Sequence, residues 1–470
     1  MNNISSSQAE ASSQRVWQLA WPTILSNLLY ATVGFVHIKI ASGFGTSSVA
    51  AVTTGHRVFF LMQAVMMGLS VAVTAIVSQS WGARNYEDAA RDCSTAIQIS
   101  IVIGALFSLP AILLPNQIAN LFGLDSLSVS IASDFIYWLG IFGVPSAISL
   151  ILSAAMRATG DVITPLIFLI ASSLMNTLLA ISLAHGIGPF PRLEVEGIAL
   201  GGGLASTIIM IFFLTFWWRG HFTIKAEKKI KIAWSRINQI VVLASPAILE
   251  QFIIHLSFLL FFALIAEFGT EAYAAYGIGI SIVSFPIVIG FGFGIAAATL
   301  VGQQLGAGKN HLAIKAGWRS MRLALGAMTL GSLLITWQAH NMASFMAEDQ
   351  EVIHLTKVFF YIIAIAMPFM ACEVSLAGAL RGAGDVRYPM ITTLCGLLIA
   401  RLIPAWIFTN LGLSVYWILL VMLTDYMLKA AMVIYRFRSN IWMEKVIVDR
   451  GNLGDRDEQT REPQYDSSER

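Results

Sequence analysis

The sequence predicts an all-α integral membrane protein, with twelve transmembrane helices arranged as two parallel-repeat six-helix bundles (6+6). Composition, the recurrence of long apolar stretches and an internal repeat carry that prediction. Of 470 residues, 57% are hydrophobic and only 12% charged, and the mean hydropathy is +0.73; a soluble domain carries about 25% charged residues. Such a chain is not a soluble α/β enzyme, a secreted disulfide scaffold or a disordered polypeptide. Cys93, Cys372 and Cys395 are scattered without paired spacing, so they specify neither a disulfide framework nor a thiolate metal site. A net charge of +2 points to no nucleic-acid partner.

Residues 1–15 lack the basic start of a signal peptide and are expected to form a polar N-terminal tail. From Val16 the chain turns apolar. A bilayer core takes roughly 20 apolar residues per helix, and backbone groups in lipid find no water, so each such stretch reads as a helix. Six fit an amino-terminal lobe (16–218): 16–41, 50–77, 93–114, 130–153, 162–185 and 197–218. Six more fit a carboxyl-terminal lobe (238–436): 238–266, 273–301, 317–339, 355–379, 389–409 and 414–435. A basic cytoplasmic linker, 219–237, joins the lobes, and 437–470 is polar and charged and reads as a flexible tail. Basic residues sort between alternate loops. One set holds Arg84, Arg91, Arg157, Arg219, Lys225, Lys228, Lys229, Lys231, Arg236, Lys309, Lys315, Arg319, Arg322, Arg381 and Arg387; the other holds Arg192 and Lys357. By the positive-inside rule both termini are expected in the cytoplasm, in a multi-pass protein of the cytoplasmic (inner) membrane.

A shift of 224 residues lays the second half on the first without gaps. Pro22, Ile24 and Leu25 fall on Pro246, Ile248 and Leu249, and Phe44-Gly45-Thr46 on Phe268-Gly269-Thr270. Gln79, Gly82 and Ala83 fall on Gln303, Gly306 and Ala307; Arg157, Gly160, Asp161, Val162 and Pro165 fall on Arg381, Gly384, Asp385, Val386 and Pro389. Six spans per repeat is an even number, so both halves enter the membrane in the same direction and relate by a pseudo-twofold axis along its normal. Two such bundles leave a cleft that can open to either side, as alternating access requires.

The paired segments SQSWGARN and GQQLGAGKN, the paired RATGDVITP and RGAGDVRYP, and the 6+6 arrangement resemble the multidrug and toxic compound extrusion (MATE) family over about residues 15–436. The resemblance implies a V-shaped pair of lobes that exports organic compounds, drugs or toxic metabolites, against inward flow of Na+ or H+. It implies no cofactor beyond that coupling ion. No HExxH, GxSxG or Walker motif stands in a useful position, so an enzyme is not expected and an ion gradient must supply the energy.

Charged side chains inside apolar helices are costly and mark function. Glu250 lies four residues after Pro246 in span seven. The proline frees a backbone carbonyl, and oxygen donors suit a hard cation such as Na+. The resemblance matches Glu250 to a span-seven glutamate that helps bind sodium in many members. Glu373 lies eight residues before Arg381. Family members often place an Asp one turn earlier, where this chain has Met370, so Glu373 is either a displaced cation ligand or a partner of Arg381 or Arg401.

The amino-terminal lobe departs from the family pattern. The GFVD-like segment reads Gly34-Phe35-Val36-His37, and Ala180 stands four residues after Asn176 where an Asp is usual. His37 is a proton switch or a hydrogen-bonded cavity residue. Lys39, His56 and Arg57 make this lobe positive, favouring anionic or neutral cargo; Asn176 and Gln251 join the candidate cavity, and Met66, Met67 and Phe285 are candidate adaptable lining. Asp425 and Lys429 can pair at i,i+4, with Arg401 closing a network. Arg157/Asp161 and Arg381/Asp385 are expected to cap helix ends rather than touch substrate. The rival reading is a flippase or exporter of a lipid-linked or anionic metabolite. Small organic solutes, the coupling ion and the bilayer are the expected partners, and a monomer is expected.

Overall fold

The computed structural model describes residues 2–227 and 233–447, with side chains from Gln14 onward. Lys228, Lys229 and Lys231 of the basic linker, and 448–470 of the tail, lie outside the described residues. Among the described residues eleven helices are long and apolar enough to cross a bilayer, and a bent pair supplies a twelfth. In chain order the first six spans are Gln14–Ser42, Thr46–Gly82, Tyr86–Leu113, the bent pair Ser126–Ile141 and Gly143–Thr159, Ile163–His185 and Glu194–Trp218. The second six are Trp234–Ala266, Thr270–Gly306, Asn310–Trp337, Gln350–Gly382, Arg387–Asn410 and Val415–Arg438.

Two ends differ from the sequence reading. The helix of span one begins at Asn2, within the expected polar tail. The described start of the expected tail is packed on the bundle: Ile441–Lys445 forms a 3-10 turn, with Trp442 fully buried. Its ring stacks on Phe437 at 4.7 Å and its indole N–H donates to the Phe437 carbonyl at 2.8 Å.

The repeat register survives in three dimensions. Helix starts at Thr46, Tyr86, Ser126 and Ile163 fall on starts at Thr270, Asn310, Gln350 and Arg387 under the same 224-residue offset. The turns match too: Gly45 and Gly269 have φ of 105° and 102°, Gly160 and Gly384 of 96° and 90°. These left-handed values are open to glycine at little cost. The halves diverge where proline differs. Pro145 denies Ile141 its helical hydrogen bond, and span four breaks by 50° there; span ten, with Pro368 at a neighbouring register position, runs unbroken from Gln350 to Gly382. In span eleven Pro404 follows a π-helical stretch, Cys395–Leu402. The carbonyl that Pro404 leaves unbonded, that of Ala400, accepts the Thr424 hydroxyl at 2.9 Å.

Hydrogen bonds that join the halves lie at the end of the bundle carrying the N terminus. Gln79 Nε2 donates to the Gly382 carbonyl at 3.0 Å, and its register partner Gln303 donates to Ala158, the partner of Gly382, at 2.8 Å. Each bond is the twofold image of the other. Gly82 and Gly306 lie against the Gln303 and Gln79 backbones so closely that a Cβ on either would come 2.0 Å from the opposing carbonyl oxygen. Ile248 of span seven sits on Gly68, and Ile24 of span one on Gly292. Small residues thus bring the backbones together, and each half extends its first helix onto the other half's second. The Ile447 N–H donates to Gln79 Oε1 at 2.8 Å, so the chain after span twelve reaches the first half. Away from this closed end, Tyr30 of span one is exposed.

Candidate functional site

Six ionisable side chains meet inside the carboxyl-terminal half. Glu250, 1% exposed, accepts from Arg381 Nη2 at 2.6 Å and from the Thr393 hydroxyl at 2.8 Å. Asp425, fully buried, lies 2.5 Å from Arg401 Nη2 and 3.4 Å from Lys429 Nζ. The Arg401 contact is a charge pair rather than an aligned hydrogen bond. The guanidinium also stands over the Tyr426 and Phe261 rings, at 5.2 and 5.6 Å. Gly396 lets this cluster form: a Cβ there would come 2.4 Å from Asp425 Oδ1. Glu373 is buried as well, with Lys429 and Arg381 as attractive and Glu250 and Asp425 as repulsive neighbours. It makes no hydrogen bond or ion pair among the described residues. Three acids therefore face three bases, and two of the acids are directly neutralised.

That arrangement changes several sequence expectations. Arg381 does not serve only as a helix-end cap; it turns inward and takes Glu250, the residue expected to hold a cation. The carbonyl freed by Pro246 is that of Val242, eight residues from Glu250, or about 12 Å along the helix. The Ser245 hydroxyl donates to it at 3.4 Å, so carboxylate and carbonyl do not converge. Among the described residues no group of three or more His, Cys, Asp or Glu is placed to hold a metal ion. Lys429 reaches Asp425, as its i,i+4 spacing predicts, and Arg401 closes the network on Asp425 rather than on Glu373. Asp385 pairs with Arg436 at 2.7 Å, while Asp161 Oδ1 accepts from the Thr164 N–H at 3.0 Å.

In the amino-terminal half His37 joins three helices. Its Nε2 lies 2.9 Å from Asn176 Oδ1 and its Nδ1 lies 3.3 Å from His56 Nε2. With Nε2 donating to the amide oxygen, Nδ1 is left to accept from His56. The two imidazoles stack at 5.5 Å, and Phe135 meets His56 edge-on at 5.9 Å. Sequence reasoning named His37, Asn176 and His56 but had no spacing signal to join residues on three separate helices. Lys39 and Arg57 are exposed, and Gln251 is half-buried beside Glu250. Met67 and Phe285 are exposed, but Met66 is fully buried in the core of the first half and lines no cavity.

The family described as MatE matches residues 22–181 and 246–407, once in each repeat. A probable multidrug resistance protein NorM of Thermotoga maritima is 26% identical over 442 residues, covering 92% of this chain and 94% of its own. A protein named FAD transporter from Shewanella oneidensis is 24% identical over 370 residues, covering 77% and 80%. Among solved structures, the Vibrio cholerae MATE transporter VcmN in its bent form superposes with a TM-score of 0.85 at 19% identity, over 93% of this chain and 99% of that one. A MOP superfamily transporter from Pyrococcus furiosus, described as having a binding pocket of reverse polarity, superposes with a TM-score of 0.85 at 16% identity, over 93% and 97%.

Proposed function

The chain belongs to the multidrug and toxic compound extrusion family, a family of transporters, and from that premise we propose that it is a secondary active antiporter. It exports organic compounds across the cytoplasmic membrane in exchange for Na+ or H+, with both termini in the cytoplasm. The observation that carries the reading is Glu373, a buried carboxylate without a direct partner among the described residues, beside Glu250 and Asp425, which both pair with bases. Glu250 already holds a guanidinium, which repels a second cation. Glu373 is the acid free to take a proton, or a sodium ion through its carboxylate oxygens.

Filling Glu373 weakens its pull on Arg381 and Lys429. Arg381 adjoins Gly382, whose carbonyl receives the Gln79 bond at the closed end. Ion occupancy thus acts on the contact that must open when the cleft switches sides. The test is dye efflux from everted vesicles with sodium and proton gradients imposed separately. Glu373→Gln is expected to lose at least about tenfold of the gradient-driven rate while inserting normally. His37→Gln is expected to retain the gradient response. Efflux that collapses in His37→Gln and survives in Glu373→Gln would assign coupling to the histidine pair instead.

A second reading, export of an anionic or lipid-linked metabolite in the same fold, is favoured by one observation. Lys39 and Arg57 stand exposed on spans one and two, and the sequence of those spans, 14–42 and 46–82, holds no Asp or Glu. The relative named FAD transporter fits that reading. Its discriminator is cargo: lipid-linked substrate moving in liposomes, against soluble dyes leaving cells.

A further inference from the structure

The two halves place an arginine at the same register position and treat it differently. Arg381 is neutralised by Glu250 at 2.6 Å. Its partner in the first half is Arg157, and the residue standing where Glu250 would is Ser26. The Ser26 hydroxyl is turned away, donating to the Pro22 carbonyl at 2.8 Å. Asp161, four residues beyond Arg157, does not substitute. The helix ends at Thr159, Gly160 turns left-handed at φ 96°, and the Asp161 carboxylate caps span five through Thr164. Among the described residues the Arg157 side chain forms no ion pair and no hydrogen bond.

Arg157 lies where the halves meet, its carbonyl accepting from the Thr299 hydroxyl of the second half at 3.4 Å. The side chain is half-buried, and its electrostatic neighbour is Tyr30, exposed on span one. A guanidinium drawn out of water without a counter-ion is costly, and its planar fork matches a carboxylate or phosphate bidentately. Exposed Arg57 and Lys39 on the neighbouring spans add positive potential that draws anions inward.

We propose that Arg157, at the closed end where the halves meet, is an anion subsite, taking the carboxylate or phosphate of an organic anion whose ring lies against Tyr30. The proposal rests on the transport reading above and deepens it to a substrate class. The bound oxyanion belongs to a water-soluble cargo or to a lipid headgroup, and the test separates them.

The probe is carboxyfluorescein, followed by fluorescence anisotropy on the full-length protein in phosphatidylcholine nanodiscs, with rhodamine 6G as the cationic comparison. Arg157→Gln is expected to weaken carboxyfluorescein binding at least about tenfold, and Arg157→Lys to keep most of it. Ser26→Glu leaves Arg157 in place but supplies the counter-ion of the second half, and it is expected to weaken the anionic dye equally. Rhodamine binding, unweakened in both, reports that the fold is intact. Replacing part of the lipid by phosphatidylglycerol competes with the dye through Arg157 if a headgroup is the natural occupant, and leaves the dye's affinity unchanged if a soluble anion is. Wild-type preference for rhodamine, or unchanged carboxyfluorescein binding in Ser26→Glu and Arg157→Gln, overturns the anion site. Gradient-driven rhodamine efflux by the wild type, measured in parallel, tests the transport reading separately.

Discussion

Glu250 and Arg381 have little freedom to act alone. Each is withdrawn from water, and the energetic asymmetry of buried pairs is steep: removing one partner costs about 3–5 kcal/mol, whereas replacing both by apolar groups is often near neutral. Glu250→Gln keeps an oxygen for the Thr393 hydroxyl but leaves Arg381 uncompensated. It is expected to lower the melting temperature of the detergent-solubilised protein and to abolish efflux. The double variant Glu250→Leu, Arg381→Met is expected to recover most of the thermal stability and none of the transport. A double variant as unstable as Glu250→Gln would show that the pair contributes more than mutual neutralisation. At this scale the sequence was legible where partners are close along the chain. Asp425 and Lys429 are four residues apart, so their contact follows from helix geometry. Glu250 and Arg381 are 131 apart, and no local pattern joins them. Pro246 suggests from sequence that a freed carbonyl joins Glu250 in holding a cation, but that carbonyl, Val242's, lies too far along the helix to supply the second oxygen.

Span eleven raises the same question for an element. A proline inside a regular helix costs about 3 kcal/mol relative to alanine, so removing Pro404 looks stabilising from the sequence. The structure points the other way. The π-helical stretch Cys395–Leu402 sets the rotation at which Arg401 meets Asp425, and π turns of this kind recur at functional sites. With an N–H at position 404, the Ala400 carbonyl can close an ordinary helical bond and release the Thr424 hydroxyl that now satisfies it. Arg401 then rotates off Asp425, leaving two buried charges mismatched. Pro404→Ala is therefore expected to lower the melting temperature, and a rise would refute the link between the π turn and the ion pair. The spans themselves were legible because about 20 apolar residues in lipid admit one backbone solution. What stayed hidden was internal irregularity. The 50° break in span four and the π turn in span eleven both depend on how Pro145 and Pro404 are accommodated by neighbours, and proline alone does not say whether a helix breaks, kinks or runs on.

Across the whole molecule the register of 224 residues makes a stronger claim than shared ancestry: matched substitutions should have matched effects. It was legible before any coordinates because FGT, QxxGA and RxxGDVxxP repeat in one register, and motifs at turns and close contacts tolerate little drift. The unpaired charge of Arg157 was less legible: the register sets Ser26 against Glu250 as readily as Arg157 against Arg381, but the missing acid gains meaning only once Glu250 is seen to face Arg381. The closed end offers the sharpest test of equivalence. Gly82 and Gly306 each leave 2.0 Å between a notional Cβ and the opposing carbonyl oxygen, so Gly82→Ala and Gly306→Ala should push the halves apart by the same contact seen from either side. Their helices, Thr46–Gly82 and Thr270–Gly306, carry neither Glu373 nor Arg157, so the expected effect is on conformation rather than on binding chemistry. A Ser78→Cys reporter, fully buried when this end is closed, is read with a membrane-impermeant maleimide in a background lacking Cys93, Cys372 and Cys395. Both alanine variants are expected to raise its labelling rate several-fold, and by similar factors, because a shifted two-state equilibrium exposes the same surface whichever half carries the extra methyl. Labelling raised by one variant and not the other would mean that the halves do not move as equivalent bodies about their pseudo-twofold axis.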